Sequence, residues 1–523
     1  MKVTLPQFSI AAAVFIVMSC HCVFAQSSSG QINGLVEDPT GAAIPGAAVK
    51  LVNEQNSSER TTVSNEQGNF VFPSLPPGAY DLSVAAKGFK AYSKKDLQLS
   101  ASDQLSAGIL RMEVGAASES ITIQADVTEV QTQSGERSAL IDEHQMATLL
   151  TPNRDFINFT RVLPGVVATG TEGQDQLGVF GMDTVNGMRS EYSSVSVDGI
   201  IANTNVNRLN RVMTAPNADA ISETKVLTSN YQAEDGGTSG ASIDAITKSG
   251  ARSFHGSGYY FKRHEEFNAH DYFDSAYWNG DVQPKSQNRF NTIGYNIGGP
   301  VIIPGTGFNR GRDKLFFFFS QEIWPTVHPG DGNPLKLRVP TANERKGIFT
   351  TPVTNPSTGL PYPNNTVTGI NSDMQKLMNL LPLPTPGYVD VTGQSNYYLN
   401  LTEHNPVNQQ ILRFDYNISP SWHTYIRGLN MSVASKGNAA NAMPMEYLQS
   451  FPVDYDNKAS NVVWNLTFIP SPTLVNELNV GYAGWSEDQK LPNGNSEFAA
   501  VQKSALGITL GQFRPQNNPL GLI

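Results

Sequence analysis

From Gln31 to Leu110 apolar and polar positions alternate in short runs, broken at close intervals by turn residues. In "GQINGLVEDPTGAAIPGAAVKLVN" two strands flank an Asp-Pro-Thr-Gly turn, and Ile32, Gly34 and Val36 share one face. In "GNFVFPSLPPGAYDLSVAAKGF" the same period pairs Phe70 with Phe72, and Tyr80 with Leu82 and Val84, around Pro76-Pro77-Gly78. Strands of this length and spacing predict a compact β-sandwich over 31–110.

The pattern then changes twice. Residues 111–130 read as a linker, with Gly115-Ala-Ala-Ser followed by a short β-prone run, Ser120-Ile121-Thr122-Ile123-Gln124. Over 131–250 helical stretches, "EHQMATLLT" and "DAISETKVL", are expected among β-runs, as in an α+β domain. Beyond Gly250 the alternation lengthens. Leu412, Phe414, Tyr416 and Ile418 face one way and Arg413, Asp415 and Asn417 the other. Val462, Trp464, Leu466 and Phe468 likewise oppose Asn461, Asn465 and Thr467. Seven such strands of about ten residues, joined by tight turns, suit a wall with lipid on one side. A soluble sandwich has the same period in shorter strands; strand length and the Trp and Tyr residues near strand ends favour the membrane wall. Residues 325–408, rich in Pro, Asn, Gly and Thr, form a long surface excursion.

Composition fits a β-rich chain: charged residues are 16% and glycines number 45, which suits strands and turns better than helices. The net charge of −10 is spread without a basic stripe, so nucleic acid is not an expected partner. Lys2, the apolar run Phe8 to Met18 and the small residues before Ala25 predict a secretory signal peptide over 1–25. "VMSC" leaves open a lipidated Cys20. Cleavage after Ala25 removes both cysteines, Cys20 and Cys22, and with them any disulfide. No later run of about 18 apolar residues predicts a membrane helix.

Candidate chemistry is sparse. His264 and His270 lie six apart rather than four, and no Gly-x-Ser-x-Gly elbow or Gly-Lys-Ser/Thr phosphate loop occurs. No catalytic residue, metal site or cofactor is expected. "NGMRSEYSSVSVDGI" offers Asn186, Gly187, Arg189, Asp198 and Gly199. Asp198-Gly199 reads as a tight turn after a strand bearing Val195 and Val197, and Arg189 as a buried or semi-buried structural partner of carboxylates rather than an acid or base.

Two resemblances attach to these residues. Gly34-x-Val36-x-Asp38, Gly46-Ala47-x-Val49, Gly68-x-Phe70 and Pro77-Gly78-x-Tyr80 resemble the carboxypeptidase regulatory-like domain, a prealbumin- or starch-binding-like sandwich. It implies an accessory domain, either a spacer or a carbohydrate binder. Asn186-Gly187-x-Arg189, Val197-Asp198-Gly199, the passage "YQAEDGGTSGASIDAITKSGARSFHGSGYYF" and "IGGP" with "DKLFFFF" are similar to the plug and early barrel of TonB-dependent receptors, in their Oar-like branch.

This resemblance implies a mainly β protein. A plug domain at 131–250 and a partial transmembrane β-barrel at 251–523 would follow the sandwich, in the outer membrane of a Gram-negative-type bacterium. It implies energised transport of an unidentified ligand, a saccharide among the candidates, with outer-membrane lipid around the wall. Ser120, Ile121, Thr122, Ile123 and Gln124 then resemble a TonB box, the strand that a TonB-type energy-transducing protein grasps; the residues alone equally allow the last strand of the sandwich. Plugged transporters close with about 22 strands, so seven strands before "NNPLGLI" predict the N-terminal part of a longer protein. The other reading is a secreted or surface-attached β-rich carbohydrate-binding or adhesion protein.

Overall fold

The computed structural model describes residues 28–115, 120–124, 135–149, 154–168, 180–181, 183–206, 209–269, 285, 287–329, 335–390, 393–399, 402–438, 453–471, 474–490 and 503–509. The signal segment, both cysteines and His270 lie outside them. Mainly β structure is seen throughout.

The first domain is the expected sandwich. Its strands are β1 (Gly30–Glu37), β2 (Ala48–Asn53), β3 (Glu59–Val63), β4 (Asn69–Leu75), β5 (Gly78–Ala85), β6 (Ala91–Leu99), β7 (Gln104–Arg111) and β8 (Ser120–Gln124). They make a three-stranded sheet, β4-β1-β7, and a five-stranded one, β3-β2-β5-β6-β8. The alternation sends Ile32, Val36, Leu51, Phe72, Leu82, Val84, Leu97 and Leu110 into one core. Gly34 also points inward, where a Cβ would stand 2.6 Å from the Phe70 ring; only glycine lets that ring lie flat against β1. Residues 120–124, expected within a linker, extend the larger sheet instead: β8 runs parallel to β6.

A middle domain follows, with β9 (Arg137–Asp142), α1 (Glu143–Thr148), β10 (Ser194–Val197), β11 (Ile200–Ile201), β12 (Ile221–Ser229) and β13 (Ser242–Thr247). Its sheet has the order β11-β10-β13-β12-β9. The first expected helix exists and is short, opened by a capping box between Asp142 and Gln145. The second does not. "DAISETKVL" is a single 3-10 turn, Ala218–Ala220, running into β12. Thr224, Lys225, Val226 and Leu227 are buried in succession, and a strand covered on both faces loses the period-two signature that separates it from a helix.

The last domain is a nine-stranded antiparallel sheet. Its strands are β14 (His255–Arg263), β15 (Arg289–Pro300), β16 (Leu315–Trp324), β17 (Thr326–Pro329), β18 (Thr402–His404), β19 (Val407–Ser419), β20 (Trp422–Asn438), β21 (Val453–Ser471) and β22 (Leu474–Lys490). The seven long strands are those expected; β17 and β18 are short additions at the roots of the excursion expected over 325–408, whose last two residues open β19 and leave 325–406 outside the long strands. That excursion has structure of its own, including α2 (Ser372–Leu380). The last three strands run to 17, 19 and 17 residues rather than about ten, because each hairpin continues past the length that a hydrocarbon layer requires.

The two faces differ as the pattern required. Leu412, Phe414, Ile426, Val462, Trp464, Val480 and Tyr482 are exposed on one side. Arg413, Arg427, Asn461, Asn465 and Thr467 are buried on the other. The buried side packs on the middle domain: Phe156, Val195 and Val197 share a core with Trp324, Val407, Met431, Val433 and Ala459. Gly250, on the passage between the two domains, sits so close to the backbones of Phe317 and Gly299 that a Cβ there would overlap them.

Candidate functional site

Two of the sequence-predicted residues build a turn of special geometry. Asp198 and Gly199 have φ of +50° and +77° between the paired residues Val197 and Ile200. Two successive positive φ values define the tight hairpin turn whose twist matches its strands, and Asp-Gly is a preferred sequence for it. Asn186 and Gly187, with φ of +51° and +76° inside the Val185 to Met188 bridge, form a second such turn.

The first turn carries Asp198 to the inner face of the large sheet, where it meets two arginines. Arg427 Nε donates to Asp198 Oδ2 at 2.9 Å and Arg413 Nη1 to Oδ1 at 3.5 Å. From β13, the Thr247 amide donates to Oδ1 at 2.9 Å and its hydroxyl to Oδ2 at 2.8 Å. Arg427 has no exposed surface and also donates to the backbone carbonyls of Val197 and Asn461, both at 2.9 Å, and to Asn461 Oδ1 at 2.5 Å. Arg413 is also held by Asp415 at 2.9 Å and lies over the Tyr425 ring, 4.3 Å from its centroid.

Arg413 and Arg427 face each other directly across β19 and β20. Like charges in that register repel; Asp198 from another domain is the shared counter-ion. Burial alone would raise the Asp198 carboxyl, but Arg427, Arg413 and the two Thr247 donors outweigh it and hold it below its ordinary value. Asp244 on the neighbouring strand behaves oppositely. It accepts from the Ser196 hydroxyl at 2.7 Å and from the Gly199 amide at 3.4 Å. Burial pushes it up to about 7, with the nearby Asp198 charge adding to the effect.

Arg189 is placed differently from expectation. It is exposed, just before the 3-10 turn Ser190–Tyr192, and forms no ion pair among the described residues. The buried arginines paired to carboxylates include Arg154, which meets Asp219 at 2.7 Å, and Arg413 and Arg427, more than two hundred residues further along. Neither Arg427 nor Asp244 was singled out from sequence. A usable signal was present: arginines at inward positions of two consecutive wall strands, demanding an anion between them.

The sandwich docks on both other domains. Lys225 Nζ meets Asp103 Oδ1 at 2.6 Å, and the Ala101 amide donates to Glu223 Oε1 at 2.6 Å. Burial raises Glu223 to about 7. On the large sheet Glu477 accepts from the hydroxyls of Ser29 and Ser74, each at 3.2 Å. The Arg252 guanidinium reaches the Ser57 hydroxyl at 2.8 Å. A cavity of about 1630 Å3 lies among the three domains, lined by Arg60, Lys225, Arg413, Asp415, His423 and Asn465 among others. The sandwich aromatics Phe70, Phe72, Tyr80 and Tyr92 are buried in its core, so these rings offer a sugar no stacking face.

Ser120–Gln124 stand apart from this network. Ala91 to Lys95 of β6 pair residue for residue with Ser120 to Gln124, and Thr122 is exposed.

Comparison with known proteins agrees with this architecture. Residues 246–521 match the outer membrane beta barrel domain family and residues 31–112 the carboxypeptidase regulatory-like domain. The chain is similar to the TonB-dependent transporter Oar of Myxococcus xanthus, 25% identical over 307 residues, or 56% of this chain and 26% of that protein. It therefore spans about a quarter of that relative's length. Among solved structures it is similar to the outer membrane transporter YddB from Escherichia coli, with a TM-score of 0.42 and 11% identity over 68% of this chain and 40% of that one. The siderophore receptor PirA from Pseudomonas aeruginosa gives a TM-score of 0.38 and 11% identity over 67% of this chain and 41% of that one.

Proposed function

Since the chain belongs to the outer membrane beta barrel domain family, we infer that it serves as the plug-bearing part of a TonB-dependent outer-membrane receptor in energised transport. In this reading the middle domain is the plug, the large sheet is barrel wall facing lipid, and the sandwich lies on the periplasmic side. Ligand binds among the loops of the outer face, to which the 325–406 excursion belongs. The strand Ser120–Gln124 is grasped by a TonB-type protein, and force on it shifts the plug against the wall. The protein resembles transporters and acts by binding and movement rather than by covalent chemistry.

One observation carries the reading: Asp198 of the middle domain is the buried counter-ion of two arginines on neighbouring wall strands. An ion cluster of this kind specifies how a plug seats in a wall.

The test is fractionation followed by capture. The full-length gene product is expected in the outer-membrane fraction and is expected to retain the periplasmic domain of the cell's TonB-type protein. Ile123→Pro removes a backbone donor from the strand and should abolish retention. A product found freely dissolved in the periplasm or medium would overturn the proposal.

A further inference from the structure

The coupling strand is already part of a sheet. β8 pairs along one edge with β6 in five consecutive register positions, Ala91 with Ser120 through Lys95 with Gln124. Among the described residues its other edge pairs with nothing, and the sheet ends there. A peptide free on both sides must be straightened when a partner binds it, and that ordering opposes association. A strand laid on a folded sandwich has met that cost beforehand, so its outer edge is a prepared template for one more strand.

We propose that the periplasmic partner adds a strand to the outer edge of β8 while β8 stays paired to β6, so that partner and sandwich share one continuous sheet. The fitting partner is a protein with an exposed edge strand, and its strand becomes the sixth of the sheet β3-β2-β5-β6-β8. The sandwich then acts as the handle through which force is delivered. Its contacts with the middle domain, Lys225 to Asp103 and Ala101 to Glu223, are where that force arrives. This rests on the TonB-type partner proposed above and adds where, and beside what, that partner binds.

A staple separates this arrangement from one in which β8 must leave the sandwich. Ser93 and Thr122 are register partners, as are Lys95 and Gln124. The full chain would be made as Ser93→Cys with Thr122→Cys, and independently as Lys95→Cys with Gln124→Cys, each oxidised and then reduced. The probe is the purified periplasmic domain of the TonB-type protein, against outer-membrane extracts. The expected result is that oxidised and reduced forms bind it within about threefold of the unaltered chain. Binding that falls at least tenfold on oxidation and returns on reduction would overturn the shared sheet while leaving the partner in place. No binding by the unaltered chain would overturn both.

Discussion

Asp198 does at one position what the stretch around it could not announce. That it forms a tight turn with Gly199 is legible locally, since Asp-Gly after a strand demands positive φ. Its partners are not, because Arg413 and Arg427 lie 215 and 229 residues away and meet it only when two domains pack. Arg189, nearby in the sequence, is exposed instead. Asp198→Asn should cost about 3–5 kcal/mol, because it takes the shared counter-ion from two buried guanidinium groups; earlier protease cleavage of the middle domain in urea would report it. The pH dependence has two opposing parts. Asp198, held low, supports the fold above the ordinary carboxylate range and loses that contribution as pH falls through its lowered value. Asp244, pushed up to about 7, keeps its proton in the folded state where the unfolded chain has lost it, so stability falls as pH rises from about 4 to about 7. Asp244→Asn is therefore expected to resist urea better than the unaltered chain at pH 8 and to lose that advantage near pH 4. Equal resistance of the two proteins at pH 8 would count against the raised carboxyl.

At the scale of elements, the strands of the sandwich and wall were readable because each has one dry face, and period two survives in Ile32 to Val36 or Asn461 to Thr467. The strand Ile221–Ser229 carries a helix-like pattern for the opposite reason: both its faces are covered. The length of the wall strands was underestimated, since alternation continues beyond any membrane boundary that sequence marks. Ser120–Gln124 pairs with β6 as an edge strand of the sandwich, and the coupling role proposed for it relies on its other edge. At Gly250 the passage between the domains runs against backbone. Gly250→Ala should cost about 1–3 kcal/mol through overlap with the backbones of Phe317 and Gly299. It is expected to appear as a lowered urea midpoint for release of the middle domain, with the sandwich unaffected; an unchanged midpoint would mean that this contact is not tight.

Over the whole molecule, three bodies are joined by few charged contacts and two shared apolar clusters, a large one around Val195 and Trp324 and a small one of Ala220 with Phe318, Ile411 and Leu429. The sandwich meets the middle domain through Lys225 and Asp103 and the large sheet through Glu477. The middle domain meets the large sheet through Asp198 and the apolar cluster around Val195 and Trp324. That large sheet is the premise of the rest: one face dressed for hydrocarbon, the other turned to a polar, packed interior. Nitroxide labels placed singly at Asn461, Val462, Val463, Trp464 and Asn465, in outer-membrane vesicles from the cell that makes the protein, test it most directly. The account predicts high accessibility to oxygen and low accessibility to a water-soluble nickel complex at 462 and 464, with oxygen accessibility low at 461, 463 and 465. Nickel accessibility at 462 and 464 as high as at an exposed loop site would contradict it.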